Sequence, residues 1–278
     1  MIFDLHCHSN FSDGVLSPEE LVVRACSRGV SVLAITDHDT IAGIAIAHKA
    51  SVIHGLQLIP GIEFSSQWGK GGVHIVGLGI DPHSVDLLAA IRFQEEARQA
   101  RSVAIGEKLA RLGFTDALAG ARKIAGNGTL GRPHFAQYLV EIGAVKNINA
   151  AFKKYLGTGK PADVRYQWPS MDQVIEWIHV AGGIAVLAHP AKYELTRMKM
   201  CALIDSFAAA GGDAVEVISG VQSTAVTQDL AKIVNARNLH ASCGSDFHMP
   251  DHPWQELGSF GALPDNLKPV WNLLGFNS

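Results

Sequence analysis

The sequence predicts a parallel α/β barrel interrupted by a helical insertion. Seven short runs of β-branched and apolar residues recur along the chain, and helical patterns with recognisable ends lie between most of them. The chain has 278 residues, of which 47% are hydrophobic, and one barrel of about 250 residues uses most of that length. We therefore expect a single barrel domain with an inserted segment.

The seven predicted strands are mostly apolar on both faces, which is typical of strands buried in a parallel sheet. They are IFDLHCH, VSVLAIT, LQLIPGIEF, VHIVGLGI, GIAVLAH, AVEVIS and LHASCGSD. In the same order they span residues 2–8, 30–36, 56–64, 73–80, 183–189, 214–219 and 239–246.

Two of the intervening helices have clear start and stop signals. SPEELVVRACSRG has Ser17 as the N-cap, Pro18 at the first helical position and Glu20 where it completes a capping box. SMDQVIEWIHVAGG repeats the pattern with Ser170 and Gln173, and both segments end at glycine. A strand followed by a capped helix, a glycine and another strand is the order expected of a parallel α/β fold.

Residues 86–160 break this alternation. EEARQARSVAIGEKLARLG, FAQYLVEIG and INAAFKKYLG are helical patterns with no convincing strand between them. We therefore assign residues 1–85 and 161–278 to the barrel and 86–160 to a helical cap. Residues 90–160 are also basic, with 12 of the 23 Lys and Arg but only 5 of the 26 Asp and Glu. This asymmetry favours an anionic partner.

The start of the chain and its cysteines indicate the compartment. Asp4 stands where a signal peptide needs basic and then apolar residues, and no apolar run reaches the roughly 18 residues of a membrane span. The four cysteines form no CxxC pair and lie in apolar stretches, which predicts buried thiols in a reducing environment. We expect a cytoplasmic protein that does not bind membranes. The cysteines are Cys7, Cys26, Cys201 and Cys243.

Metal-ligand residue types stand at or near the carboxyl ends of most predicted strands. In a parallel barrel these ends meet at one mouth, which carries the chemistry. Strand alternation places His6 and His8 on one face and Cys7 on the other, and the same parity aligns Asp246 with His248. One histidine alone is more often a core or surface residue, so the evidence is the shared position. The full set is His6, His8, Asp37, His38, Asp39, Glu63, His189, Asp246 and His248, with His74 from the fourth strand and His134 from the insertion.

Imidazole and carboxylate groups without thiolate suit Mn, Fe or Zn in hydrolytic sites rather than a structural zinc site. The candidates are too numerous for one ion, so two or three divalent ions are expected. Glu63 is the natural bridging residue because a carboxylate has two oxygens to share.

Six motifs stand in order over nearly the whole chain: DLHCHSNFSDG at 4–14, TDHD at 36–39, GIE at 61–63, GRPH at 131–134, AHP at 188–190 and GSDFH at 244–248. Together they resemble those of the polymerase and histidinol phosphatase (PHP) family of metal-dependent phosphoesterases. Within that family the chain is most similar to the stand-alone TrpH-like members, and among these to the 3',5'-nucleoside bisphosphate phosphatases that also trim RNA from its 5' end.

The resemblance implies a distorted seven-stranded β/α barrel, a trinuclear metal centre and phosphomonoester hydrolysis on a nucleotide. The implied substrate is the 3'-phosphate of nucleoside 3',5'-bisphosphates, with short RNA as a second substrate. Manganese is the first choice of metal, and zinc and iron are the alternatives. The implied ligands are His6, His8, Glu63 and Asp246 for the first ion, Glu63, His74 and His134 for the second, and Asp13, His38 and His248 for the third.

A hydroxide bridging the first two ions would attack phosphorus. We expect Arg132 and His189 to contact phosphate, with His189 alternatively protonating the leaving oxygen. Asp246 counts among the catalytic groups, and Asp13 among those near the substrate. Three further acids would either orient imidazoles or cap strand ends: Asp4, Asp37 and Asp39.

The basic insertion favours a nucleotide or short oligonucleotide over a small polar phosphoester, and it gives no reason to expect stable duplex binding. Its candidate cations are Arg98, Arg101, Lys108, Arg111, Lys153, Lys154 and Lys160. Aromatic residues that could stack a base, although most are expected in the core, are Phe135, Tyr138, Phe152, Tyr155 and Trp168.

Other functions remain open at the sequence level. A histidinol-phosphate-type phosphatase would keep the metals without needing a basic cap. A non-catalytic metal-binding regulatory module is disfavoured because all nine ligand positions are filled. A polymerase accessory domain is disfavoured because the chain has no room for a polymerase. The oligomeric state is not indicated.

Overall fold

Seven strands form one sheet that curls into a nearly closed barrel. The computed structural model describes residues 1–164 and 168–276. The strands follow one another around the sheet in sequence order, and the Leu5 amide donates to the Cys243 carbonyl at 3.1 Å, which joins the last strand to the first. The strands are β1 Phe3–Asp4, β2 Val32–Ile35, β3 Gln57–Trp68, β4 Gly71–Leu78, β5 Ile184–Leu187, β6 Ala214–Ser219 and β7 His240–Gly244.

One strand departs from the parallel pattern. β4 runs antiparallel to both β3 and β5, whereas the other neighbouring pairs are parallel. β3 and β4 form a hairpin with a short turn that contains Gly69, whose φ of 58° suits glycine. The reversal brings the first half of β4, which carries His74 opposite Ser65, to the mouth where the other strands end.

The helices between strands begin as predicted. The Ser17 hydroxyl accepts from the Glu20 amide, and the Glu20 carboxylate accepts from the Ser17 amide at 2.8 Å, which completes the capping box. Ser170 also caps its helix, whereas the Gln173 side chain donates to Glu176. The helices of the described residues are α1 Pro18–Ser27, α2 Ile44–His54, α3 Val85–Arg111, α4 Ala117–Ala125, α5 Arg132–Glu141, α6 Ile148–Ala151, α7 Met171–Val180, α8 Arg197–Ala209 and α9 Thr224–Asn235. Shorter turns are a π-helix at Phe152–Leu156 and 3₁₀ helices at Pro190–Tyr193, Pro253–Gln255 and Val270–Asn272.

Helices α3 to α6 pack around an apolar cluster of their own, which includes Ile105, Leu109 and Phe135. Tyr138 and Tyr155 pack against this cluster. These aromatic side chains therefore stabilise the helices rather than present a stacking surface. Among the described helices, none combines the length and the apolar character needed to cross a membrane.

Candidate metal centre

Among the described residues, nine side chains that can bind metal ions meet at one end of the barrel. The loops that follow β1, β2, β5 and β7 supply most of them, while β3 and β4 supply one each from within the strand. They are His6, His8 and Asp13 after β1, His38 after β2, Glu63 in β3, His74 in β4, His189 after β5, and Asp246 and His248 after β7.

His6 and His8 face the same point, as predicted, although the strand expected over residues 2–8 ends at Asp4 and both histidines lie in the segment that follows it. Their Nε2 atoms lie 3.1 Å apart. Oε2 of Glu63 lies 3.4 Å from each of them, and Oδ1 of Asp246 lies 3.6 Å from His6 and 3.2 Å from His8. Cys7 points the other way and its thiol donates to the Ala34 carbonyl. Imidazole and carboxylate atoms gathered in this way form a pocket suited to a divalent cation.

Glu63 is the centre of the cluster. One carboxylate oxygen lies 3.0 Å from His74 Nδ1 and 2.9 Å from His189 Nε2, and the other lies 2.8 Å from His38 Nδ1. Burial opposes ionisation, but His38, His74 and His6 hold the pKa of Glu63 well below its usual value. The carboxylate is therefore charged, and its two oxygens face different sets of imidazoles.

Asp13 lies beside a second set of imidazoles. Its carboxylate lies 3.2 Å from His248 Nε2, 3.7 Å from His38 Nε2 and 3.9 Å from His8 Nδ1. Burial disfavours both charged forms, yet His248 and His38 hold the pKa of Asp13 well below its usual value, and Asp13 raises the pKa of His248 to about 9. The structure thus brings Asp13, His38 and His248 together.

His189 lies inside the cluster of ligand-type side chains, whereas His134 lies outside it. In four groups the ligand atoms lie within 4.8 Å of one another, and His189 belongs to one group with His6 and Glu63. Among the described residues, none of these groups contains His134. It lies on α5, where its Nδ1 accepts from the Gly131 amide at 3.0 Å. Because this contact occupies Nδ1, Nε2 is the ring nitrogen of His134 that remains for another partner.

Several ligand-type atoms are buried and lack the partners that buried polar atoms normally have. Within residues 1–164 and 168–276, Asp13 Oδ1, Glu63 Oε2 and His189 Nδ1 form no hydrogen bond of acceptable geometry, although His248 Nε2 lies 3.2 Å from Asp13 Oδ1 and His38 Nδ1 lies 2.8 Å from Glu63 Oε2. Leaving such an atom unsatisfied costs about 1–3 kcal/mol. Cations bound among these atoms would satisfy them, so the residues fit divalent metal ions.

Glu216 is a functional candidate that the sequence reasoning missed. Its carboxylate lies 3.2 and 3.3 Å from His6 Nδ1 and accepts from the His189 amide at 2.6 Å. Although burial disfavours the imidazolium, Glu216, Glu63 and Asp246 raise the pKa of His6 well above its usual value. The available signal was an acid in the middle of the otherwise apolar strand AVEVIS. Lys192, also missed, donates to Asp246 Oδ2.

Asp4, Asp37 and Asp39 form hydrogen bonds with backbone amides, serine hydroxyls and Arg98 rather than with imidazoles. Asp4 accepts from the Ser245 and Gly258 amides, and burial raises its pKa to about 6. The Asp37 carboxylate accepts hydrogen bonds from Ser9 and Ser12, and the Asp39 carboxylate accepts from Ser65 and Arg98. Asp4 and Asp37 therefore hold loops that follow strands, and Asp39 joins β3 to α3 through Ser65 and Arg98.

Three arginines line the mouth together with Asp13 and His38, around a cavity of about 120 Å³. They are Arg98, Arg101 and Arg132. Burial and the neighbouring guanidinium groups lower the pKa of Arg101 to about 10. Because this value stays well above neutral pH, the guanidinium remains charged.

The three mouth arginines pack against aromatic rings, and the other candidate cations of the insertion lie outside the mouth. Arg132 is packed over the Phe152 ring, and Arg98 and Arg101 over the Trp168 ring. By contrast, Lys108 donates to the Asp163 carbonyl and Arg111 forms an exposed ion pair with Glu107. Exposed side chains without a position in the mouth cavity are Lys153, Lys154 and Lys160.

Residues 4–155 match the PHP domain family. The chain belongs to this family. A 5'-3' exoribonuclease of Haemophilus influenzae is 47% identical to it over 269 residues and covers 97% of both chains. A 3',5'-nucleoside bisphosphate phosphatase of Chromobacterium violaceum is 41% identical over 272 residues, covering 98% of this chain and 95% of the relative.

Solved structures carry the same PHP fold. An amidohydrolase from Chromobacterium violaceum, with bound sulfate and no metal, superposes with a TM-score of 0.92 at 40% identity, over 99% of this chain and 96% of the other. A candidate metal-dependent phosphoesterase from Bifidobacterium adolescentis superposes with a TM-score of 0.80 at 29% identity, over 98% and 94%. The predicted barrel is therefore confirmed, and the ligand clusters together with the second of these structures support divalent metals at its mouth.

Proposed function

We propose that this protein is a metal-dependent phosphoesterase that removes the 3'-phosphate from nucleoside 3',5'-bisphosphates and trims short RNA from its 5' end. The observation that carries the proposal is one juxtaposition: Asp13, whose Oδ1 is unsatisfied, lines the same cavity as three guanidinium groups and as His38 and His74, which contact Glu63. No described carboxylate forms an ion pair with Arg101 or Arg132. A cation site next to an anion site suits a phosphate ester. The two relatives, a phosphatase and an exoribonuclease, support the substrate class.

We assign nine metal ligands, with His189 in place of His134. The contact of His189 Nε2 with Glu63 supports its role as a ligand over its expected role as a proton donor. Two to three ions are proposed, with manganese as the first choice and zinc and iron as the alternatives that the donor set accepts. The ligands are His6, His8, Asp13, His38, Glu63, His74, His189, Asp246 and His248.

Bound ions would supply hydroxide at neutral pH and neutralise phosphoryl oxygens. The chain itself positions the substrate. Arg132 and Arg101 would hold phosphate oxygens through their planar donors, and Asp39 fixes Arg98 by accepting from its Nε. We propose residues 86–160 as the cap that brings these arginines over the mouth.

One bond cleavage serves both substrates. In a nucleoside 3',5'-bisphosphate, water adds to the 3'-phosphorus, the bond between phosphorus and the ribose 3'-oxygen breaks, and that oxygen takes a proton. The products are a nucleoside 5'-phosphate and inorganic phosphate. In RNA with a 5'-phosphate, the same step frees the first nucleotide and leaves the phosphate on the 5'-oxygen of the second nucleotide.

Phosphate release from a panel of substrates tests the proposal, with manganese added or chelated. We expect EDTA-sensitive release from a nucleoside 3',5'-bisphosphate, weak release from histidinol phosphate, and mononucleotides from 5'-phosphorylated RNA. Arg132→Ala should lower kcat/KM, whereas Arg111→Ala, an exposed arginine of the same cap, should not. Preference for histidinol phosphate would replace the substrate class. Fewer than two metals per chain without EDTA-sensitive release would indicate a non-catalytic metal-binding module.

A further inference from the structure

A second, larger cavity lies beside the mouth. It has a volume of about 580 Å³ and runs between the loop after β1 and helices α3 and α4. This size falls in the range of about 300–1,000 Å³ that is typical of ligand sites. Arg98 and Thr129 line both this cleft and the mouth cavity, so the two are adjacent. Neither the proposed metal ligands nor the proposed phosphate contacts of Arg101 and Arg132 use the cleft.

The wall between the two cavities is firmly held. The Thr129 amide donates to the Phe11 carbonyl at 2.9 Å, which ties the loop before α5 to the loop after β1. At Gly128 a Cβ atom would lie 2.6 Å from the Asn10 carbonyl oxygen, so the two loops touch through their backbones. The position of the cleft relative to the mouth is therefore set by direct contact between cap and barrel.

The lining of the cleft suits a nucleoside better than a dense polyanion. Phe11 and Ile91 provide apolar surface, and Gln99 and Asn127 provide amides that can hydrogen-bond base edges. Asp39 neutralises Arg98 locally. The exposed Glu95 and Arg122, which are of opposite charge, also line the cleft.

The two cavities differ in how a strand could pass through them. The 120 Å³ mouth cavity is small and lined by three guanidinium groups, which suits a terminal phosphate with two charges. The larger cleft reaches the exposed Arg122 on α4, so a strand could continue from it into solvent. A nuclease that starts at a 5' end needs a closed site for the terminal phosphate and an open path for the strand that follows.

We propose that the cleft lined by Phe11, Gln99 and Arg122 binds the second nucleotide of an RNA substrate, with Arg122 contacting the phosphate that follows it. This inference rests on the proposed function, because only a phosphodiester substrate carries a second nucleotide. A nucleoside 3',5'-bisphosphate ends at its 3'-phosphate and has no second nucleotide to place in the cleft. Substitutions in the cleft should therefore affect hydrolysis of RNA and not hydrolysis of the nucleoside bisphosphate.

The test compares kcat/KM for a nucleoside 3',5'-bisphosphate and for a 5'-phosphorylated RNA trinucleotide, using the metal-loaded protein. Arg122→Ala should lower the value for the trinucleotide by about tenfold, the effect of one charge-assisted contact, and leave that for the bisphosphate within about twofold. Gln99→Trp, at an exposed position, should fill the cleft and likewise lower kcat/KM for the trinucleotide but not for the bisphosphate. The matched control is Lys123→Ala, which removes the neighbouring exposed cation of α4 outside the lining.

Equal losses for both substrates, or no loss for the trinucleotide, would overturn the assignment of the cleft. If the wild-type protein hydrolysed neither substrate, the proposed function would fail, and binding would still decide about the cleft. For that case we use a 5'-phosphorylated tetranucleotide with phosphorothioate linkages. Its Kd should rise about tenfold in Arg122→Ala, stay unchanged in Lys123→Ala, and recover partly in Arg122→Lys. An unchanged Kd in Arg122→Ala would show that the cleft does not bind the second nucleotide as proposed.

Discussion

Replacing Glu216 by glutamine tests whether this residue sets the protonation of His6. In the wild type the carboxylate accepts from the His189 amide and lies within 3.3 Å of His6 Nδ1. This contact favours a proton on Nδ1 and leaves the Nε2 lone pair free for an ion. In Glu216→Gln the amide oxygen would stay with the His189 amide, so the NH₂ group would face His6 and donate to Nδ1. His6 would then carry its proton on Nε2, the atom directed at His8.

The size of the effect follows from these contacts. Removing the partner that orients a metal-bound imidazole commonly lowers metal affinity by about 10- to 100-fold, which is about 1.4–2.8 kcal/mol. We expect Glu216→Gln to fall in the upper half of that range, because the amide opposes the required tautomer as well as losing a charge. Glu216→Asp keeps the charge on a shorter side chain, so we expect it to retain more affinity than Glu216→Gln.

The assay is titration of the metal-free protein with Mn²⁺ by calorimetry, together with metal content after gel filtration. The matched control is Asp213→Asn, since Asp213 also accepts from one imidazole and one backbone amide, those of His179 and Ala185. Asp213 comes just before β6, whereas Glu216 lies within it. Unchanged affinity in Glu216→Gln, or an equal loss in Asp213→Asn, would refute the reasoning.

Three further predictions concern the region around the mouth. Gly244→Ala would place a Cβ atom 2.4 Å from His6 Cβ, so we expect a loss of metal content and of about 1–3 kcal/mol in the free energy of unfolding, measured by denaturant titration. Burial raises the pKa of the Cys7 and Cys243 thiols well above the usual value, so Ellman's reagent at pH 8 should modify at most two of the four cysteines until the protein is unfolded. Ser65→Ala should lower kcat/KM about three- to tenfold, with unchanged metal content, because it removes a hydroxyl that accepts from an arginine of the mouth.

The strands, the capped helices and the position of the mouth could be predicted because each depends on local pattern. Alternation along the chain was enough to separate His6 and His8 from Cys7. The direction of β4 was not accessible in the same way, because an apolar strand has the same pattern whether its neighbours are parallel or antiparallel. The short connection between β3 and β4, with no helical pattern, was the signal for a hairpin.

The roles of individual site residues were less predictable, because they depend on contacts between distant segments. His189 and Glu63 are 126 residues apart, and Glu216 and His6 are 210 apart. A local sequence motif cannot show that residues so far apart in the sequence come into contact. The ligand role of His134 stays a prediction from its place in a motif, because in the fold its Nδ1 accepts from the backbone at the start of α5 and the contact does not involve Nε2.

Strand β3 also connects the candidate metal centre to the cap. Because β3 continues past Glu63 into the hairpin, Ser65 lies where its hydroxyl donates to Asp39 and accepts from Arg98. The next serine, Ser66, donates instead to the Pro169 carbonyl, so Ser66→Ala is the matched control for Ser65→Ala. Arg98 in turn lines both the mouth cavity and the larger cleft. A single stretch of β3 thus supplies a proposed metal ligand and contacts an arginine of the proposed substrate path, so Ser65→Ala changes the support of that arginine while leaving Glu63 in place.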